Sequence, residues 1–297
     1  MNRQDDNKKR ESTVRLNFLT TLSIQGKEVS RFLQGQLTCD VLQLENNHGH
    51  FGAHCTPQGR VIFLFYIFKE SDEFYLLLPK VMAPIAIQAL KKYAAFYAAD
   101  ITIVDKFMIY GVSGHLLLVH PHLIRIPIDS NRFIYLSSLS QEQALLEKLF
   151  SEKTEIKETD WHLLNLEACI PSIYPETSRQ FLPHEINLQH LTALSFSKGC
   201  YTGQEIIARM HYRGKLKMQL YQAVIPDCTE VKHGIPVHAV VNEKAIVVGN
   251  IVDSVIQKEH SLYALFTLNK NYIKEPLFIL IDHPVYLNLI TERDLNP

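Results

Sequence analysis

The chain has 297 residues, a formal net charge of -1, 46% hydrophobic and 21% charged residues. That balance excludes disorder over most of the length, and no apolar run reaches the ~18 residues that a membrane-crossing helix needs. Near-neutral charge supplies no global field for a polyanion and argues against direct nucleic-acid binding. At roughly 100–200 residues per domain, the length predicts about two domains. The cysteines stand at 39, 55, 169, 200 and 228, widely spaced and without a CxxC pair. This pattern fits reduced thiols in the cytoplasm better than a disulfide framework or a zinc ribbon.

In chain order, residues 1–12 read as a polar disordered tail and residues 14–26 as a strand. A helix follows, with Val29, Phe32, Leu33 and Leu37 at helical spacing. Pro57-Gln58-Gly59-Arg60 reads as a turn, and the apolar runs 61–68 and 74–79 around a polar KESDE read as a β-hairpin. Residues 83–98 read as a helix with Pro84 in its first turn. Residues 101–110 and 116–119 read as strands. Ser140 and Gln143 predict the start of a helix to Phe150, and a further helix is expected from Trp161 to Ala168, before Pro171. Residues 171–190 read mostly as loop. From Leu220 to Ile290 short β-runs recur without helical periodicity, predicting a small antiparallel barrel. The boundary between the two parts is placed near residue 213.

The most informative segment is Ser197-Lys198-Gly199-Cys200-Tyr201-Thr202-Gly203-Gln204-Glu205. Thr202 and Glu205 stand in the capping-box relation, so a helix is expected to start at Gly203. Gly199 suits a tight turn with positive φ. Cys200 then lies just outside a helix N-terminus and two residues from Lys198, and both features favour thiolate. The alternative is a buried cysteine ahead of a well-capped helix. Lys198, Arg209, Arg213, Lys215 and Lys217 outnumber the single acid Glu205 between residues 198 and 217. This suits a carboxylate-bearing ligand or a phosphate backbone, or else a solvated basic face. The histidines of HGHFGAHC (48–55) lack an evident second ligand group for a metal site. A Cys200–His211 or Cys200–His184 dyad has only chemistry in its favour, and no phosphate-binding glycine loop is present.

At these residues the chain resembles the YgfZ family of folate-binding proteins, in the superfamily of the glycine-cleavage T-protein, an aminomethyltransferase. The resemblance also rests on Phe32 to Val41 (FLQGQLTCDV), His54 to Arg60 (HCTPQGR), Glu167 to Pro171 (EACIP) and Phe181 to Leu188 (FLPHEINL). These segments occur in the family's order. The resemblance implies an α+β fold: a T-protein-like folate-binding module of two interwoven α/β lobes over residues 13–212, and a carboxyl-terminal antiparallel β-barrel over 213–297, in a ring-like arrangement. It implies tetrahydrofolate or another folate as ligand. It also implies a role in assembly or repair of iron–sulfur client enzymes, including those that thiolate tRNA. Cys200 matches the family's signature cysteine. Trp161 matches an aromatic near folate, and Glu167 a carboxylate that accepts from the pterin 2-amino and N3 hydrogens. Gln204 belongs to the signature, and Arg209 and Arg213 suit the glutamate tail. Cys169 departs from the family, which carries glycine there. No segment matches the catalytic aspartate region of the true T-proteins, which weighs against the alternative activity, folate-dependent aminomethyl transfer.

Overall fold

The computed structural model describes residues 11–114, 123–138, 153–258 and 260–290, together with 144, 146, 147 and 151. Most of the helix expected from Ser140 to Phe150, the strand expected over 116–119, and the tail up to residue 10 lie outside these residues. The chain divides into two compact units. The first comprises the described residues up to Gln34, Cys39–Gly52 and Phe65–Trp161; the second comprises Gly35–Thr38, Ala53–Leu64 and His162 onward.

The strands of the first unit belong to two five-stranded sheets. One has the order β10-β1-β7-β9-β8, from β1 (Ser12–Arg15), β7 (Met108–Ser113), β8 (Ile124–Pro127), β9 (Arg132–Ser137) and β10 (Thr154–Glu155). The other has the order β3-β4-β5-β2-β6, from β2 (Leu19–Gln25), β3 (Gly49–Cys55), β4 (Val61–Glu70), β5 (Glu73–Pro79) and β6 (Asp100–Val104). The expected hairpin is β4 and β5, paired antiparallel from Tyr66↔Leu77 to Glu70↔Glu73. Both strands are almost continuously buried, which explains their unbroken apolar runs. The sequence joined β1 to β2 and β6 to β7 as single runs, and the structure breaks each into two strands. Ser12, expected in the tail, begins β1.

Helix α1 is Val29–Gln36 and α2 is Ala83–Ala94, with Pro84 in the first turn of α2, where no backbone donor is needed. Helix α3, Glu158–Glu167, starts three residues before Trp161, because the Trp161 amide already donates to the Lys157 carbonyl. Trp161 is 1% exposed and belongs to the core of the first unit with Leu16, Phe68, Phe107 and Leu136. A Cβ on Gly111 would come within 2.9 Å of its indole, so glycine there makes room for the ring.

In the second unit, helix α4 spans Gln204–Arg213 and the strands begin at Met218. The change from mixed to all-β structure therefore falls between these residues. Strands β11 (Met218–Pro226), β12 (Pro236–Val241), β13 (Lys244–Lys258), β14 (Ser261–Asn269), β15 (Leu277–Leu280), β16 (Pro284–Tyr286) and β17 (Asn288–Leu289) form one antiparallel sheet of order β16-β15-β12-β13-β14-β11-β17. It curls until β16 approaches β11, giving a nearly closed barrel. Ile225, Val237, Ile251, Phe266, Leu268 and Ile279 fill it. Each such side chain contributes about 1.5–3 kcal/mol by burial. No described helix is long and apolar enough to cross a membrane.

Candidate functional site

Sequence segments far apart converge in the second unit around the loop that carries Cys200. Gly35–Thr38 forms its bed. The Ser195 amide donates to the Thr38 carbonyl at 2.9 Å, and the Thr202 amide to the Gly35 carbonyl at 3.1 Å. Between them the buried Lys198 donates from Nζ to the Leu37 carbonyl at 2.8 Å and lies 5.1 Å from the centre of the Tyr201 ring. The bed is held in turn: Thr38 Oγ1 donates to the Ala193 carbonyl at 2.7 Å and accepts from the Ala53 amide at 2.9 Å. His54 Nδ1 is 2.9 Å from the Gln36 carbonyl, and burial holds its imidazole down to about 4.

The turn after Cys200 is fixed by Gly203, whose φ is 85° and on which a Cβ would sit 2.6 Å from the Thr56 carbonyl oxygen. The Thr56–Arg60 turn, closed by Gly59 N to Thr56 O at 2.8 Å, therefore packs at the start of α4. Here the sequence expectation is corrected. The positive φ belongs to Gly203, not to Gly199, and the capping box does not form. The Thr202 hydroxyl lies 3.3 Å from Gln36 Oε1, and Glu205 pairs with Arg209 at 2.7 Å. Tertiary partners from the bed have displaced a local cap.

Loop anchoring leaves Cys200 exposed. It is the one exposed thiol of five: Cys39, Cys55 and Cys228 are buried and Cys169 is intermediate. Burial pushes the Cys55, Cys169 and Cys228 thiols above their ordinary range. The four residues Cys200, Gln204, Arg209 and Arg213 lie on one loop–helix segment. Arg209 and Arg213, four apart, share a face of α4. Arg209's pair with Glu205 is solvent-exposed and binds the cation only weakly.

Glu167 sits on a different element, as the last residue of α3, with its side chain exposed. Its setting is built in detail. Cys169 adopts φ 55°, its amide donates to Leu166 O at 3.0 Å, and the Ile170 amide donates to Asn165 O at 2.9 Å, a Schellman end. Cys169 thus occupies the left-handed position that favours glycine. From β11 the buried Gln222 donates through Nε2 to Leu166 O at 2.8 Å and Glu167 O at 3.0 Å. Sequence reasoning missed Gln222, since an isolated Gln in a strand carries no signal.

Folate asks for a carboxylate facing the pterin donors and cations for its glutamate. Glu167 is an exposed carboxylate at a helix end, and Arg209 and Arg213 are exposed cations on another helix, groups of the chemistry that such a ligand needs. The expectation for Trp161 is corrected: its ring is 1% exposed and packs in the core of the first unit, so neither face is open for a folate to stack on. His184 is buried, both its ring nitrogens lack a protein partner, and burial lowers it to about 4. His211 stacks on Phe196 at 3.9 Å. Elsewhere, in the first unit, a polar cavity of about 470 Å³ is lined by Asn46, Glu70, Glu73 and Lys106 and holds none of the nominated residues.

No protein-family model matches the chain. It is 30% identical to a "tRNA-modifying protein YgfZ" of Photobacterium profundum over 281 residues, 89% of this chain and 85% of that protein. It is also 30% identical to an uncharacterized protein of Haemophilus influenzae, covering 91% of this chain and 93% of the other. Among solved structures, the glycine cleavage system aminomethyltransferase T of Bartonella henselae shares its fold. The TM-score is 0.67 at 12% identity, over 96% of this chain and 86% of that one.

Proposed function

Since the chain belongs to the YgfZ family, we propose that it is a cytoplasmic folate-binding accessory protein. It supports assembly or repair of iron–sulfur client enzymes, tRNA-thiolating enzymes among them, with Cys200 as its working thiol. The observation that carries the reading is the loop: three anchors and an obligatory glycine hold the only exposed cysteine at one place. A thiol that only filled space would not need such support.

In this reading Glu167 accepts from the pterin 2-amino and N3 hydrogens. Gln204, Arg209 and Arg213 hold the ligand's polar end and its glutamate carboxylates. Folate, when bound, supplies a reduced pterin able to carry one-carbon units. Trp161, on the same helix as Glu167, reports ligand binding from the core. Cys200 meets the client's sulfur or cluster. The fold shared with an aminomethyltransferase supports folate as ligand class and keeps one-carbon transfer as the rival.

Cys200→Ser tests the reading. Expected are an unchanged melting temperature and a loss of client iron–sulfur enzyme activity of about tenfold or more in cells that lack the native protein. Full client activity in the variant would remove Cys200 from the mechanism. Turnover of an amine-borne one-carbon unit with tetrahydrofolate would favour the transferase.

A further inference from the structure

Asp253 is the only acidic side chain among the buried described residues, at 0% exposure. It lies on β13 where the pairing with β14 shifts register between Ile251 and Asp253, a bulge that re-aims side chains. Its Oδ1 accepts from His162 Nε2 at 2.9 Å, Tyr174 OH at 3.0 Å and the Ser254 amide at 2.8 Å, and its Oδ2 accepts from the Ser172 amide at 2.8 Å. His233, between β11 and β12, stacks on Tyr174 at 3.7 Å, and its Nε2 is 3.9 Å from Oδ1. One carboxylate therefore grips the His162 end of the Glu167-bearing segment of α3 and the turn that follows it. Gln222 holds the other end of that segment.

We infer that Asp253, His162, His233 and Tyr174 form a one-proton clamp, which holds the Glu167 segment firmly while one of its two imidazoles is charged and loosens when both or neither is. The charge count carries the argument. With one proton the cluster, buried at Asp253 and half-buried at both imidazoles, is neutral; with none it is an anion at the buried Asp253 with neutral donors only; with two it carries a net positive charge. Either net charge is costly in a buried setting. A further charge that acts on His233 is that of the exposed Glu176.

The two histidines are set apart to make this window. Burial alone would lower His162, but the charge and hydrogen bond of Asp253 more than reverse it, so His162 is raised. Burial lowers His233, with the His162 charge adding to it, against the opposing pull of Asp253 and Glu176. Burial would raise Asp253, but His162, the Ser172 amide and His233 hold it low, so it stays ionised throughout. The stability from His162 is present below its unfolded value of about 6.5 and is lost as pH rises through its raised folded value. His233 opposes folding as pH falls from about 6.5 through its lowered folded value. The clamp is tightest near pH 6.5 and weakens on both sides.

The test compares the full chain with His162→Gln and His233→Gln, which keep side-chain donors but cannot titrate. Without ligand, NMR titration of the imidazoles and melting against pH decide the clamp. Two midpoints on opposite sides of about 6.5 are expected. His162→Gln should flatten the alkaline limb and His233→Gln the acid limb. Midpoints that coincide, or variants that keep both limbs, would overturn it. The step to Glu167 rests on the folate reading and is measured separately, as tetrahydrofolate affinity against pH. Beyond each midpoint, affinity should fall by up to about tenfold per pH unit. Two limbs in the ligand-free data with no folate binding would leave the clamp standing and refute the folate reading. Folate binding whose pH profile neither variant alters would refute the clamp's link to Glu167.

Discussion

The turn into α4 and the turn out of α3 use the same left-handed backbone region, yet one is glycine and the other cysteine. At Gly203 the φ of 85° coincides with a carbonyl oxygen 2.6 Å from where a Cβ would stand. At Cys169 the φ is 55°, but the side chain has room and is partly exposed. Backbone strain alone is tolerable, at about 1–2 kcal/mol. Strain combined with a backbone neighbour is not. The first turn holds the thiol loop against the Thr56–Arg60 turn, and the second ends the helix that presents Glu167.

The largest expected break of this contrast is Gly203→Ala. It should cost about 2–4 kcal/mol, since Ala must pay left-handed strain and push away the Thr56 carbonyl. Urea unfolding measures it; a cost below about 0.5 kcal/mol would mean that the turn is free to rearrange. Next is Gln222→Ala, which removes the donor to the Leu166 and Glu167 carbonyls and should cost about 1–3 kcal/mol. Folate affinity should fall more in this variant than in a surface control. The smallest is Cys169→Gly, which should stabilise by up to about 1 kcal/mol by relieving the left-handed strain, less the extra freedom that glycine gains when unfolded. A destabilised Cys169→Gly protein would show that the thiol packs usefully where it stands.

Much of the architecture was legible in the sequence, because it follows from local pattern. The amphipathic spacing of α1, the β4–β5 hairpin, the helix opening after Gly203 and the barrel's run of short strands all carry their signal within a dozen residues. Two of the motifs that resemble the family also converge on the Cys200 loop, Gly35–Thr38 and the Thr56–Arg60 turn. What local pattern could not give was the competition between near and distant partners. Thr202 and Glu205 satisfy the capping rule as letters, yet Gln36, 166 residues away in sequence, lies against the threonine hydroxyl. Lys198 reads as a charge beside the thiol, and its amine is committed to the Leu37 carbonyl, 161 residues distant. Asp253 reads as one polar residue in an apolar strand until His162, 91 residues earlier, meets it. Trp161 reads only as an apolar residue in a helix, and only the structure puts Gly111 under its ring.

The proposed function requires that the chain bind a folate through Glu167. The most direct measurement of this is titration of tetrahydrofolate into the full chain, following the fluorescence of Trp161, the only tryptophan. The account predicts saturable quenching that weakens at least about tenfold in Glu167→Gln, which keeps the shape but loses the charged bidentate acceptor. Absence of binding, confirmed by calorimetry, would contradict it, as would equal affinity in the variant.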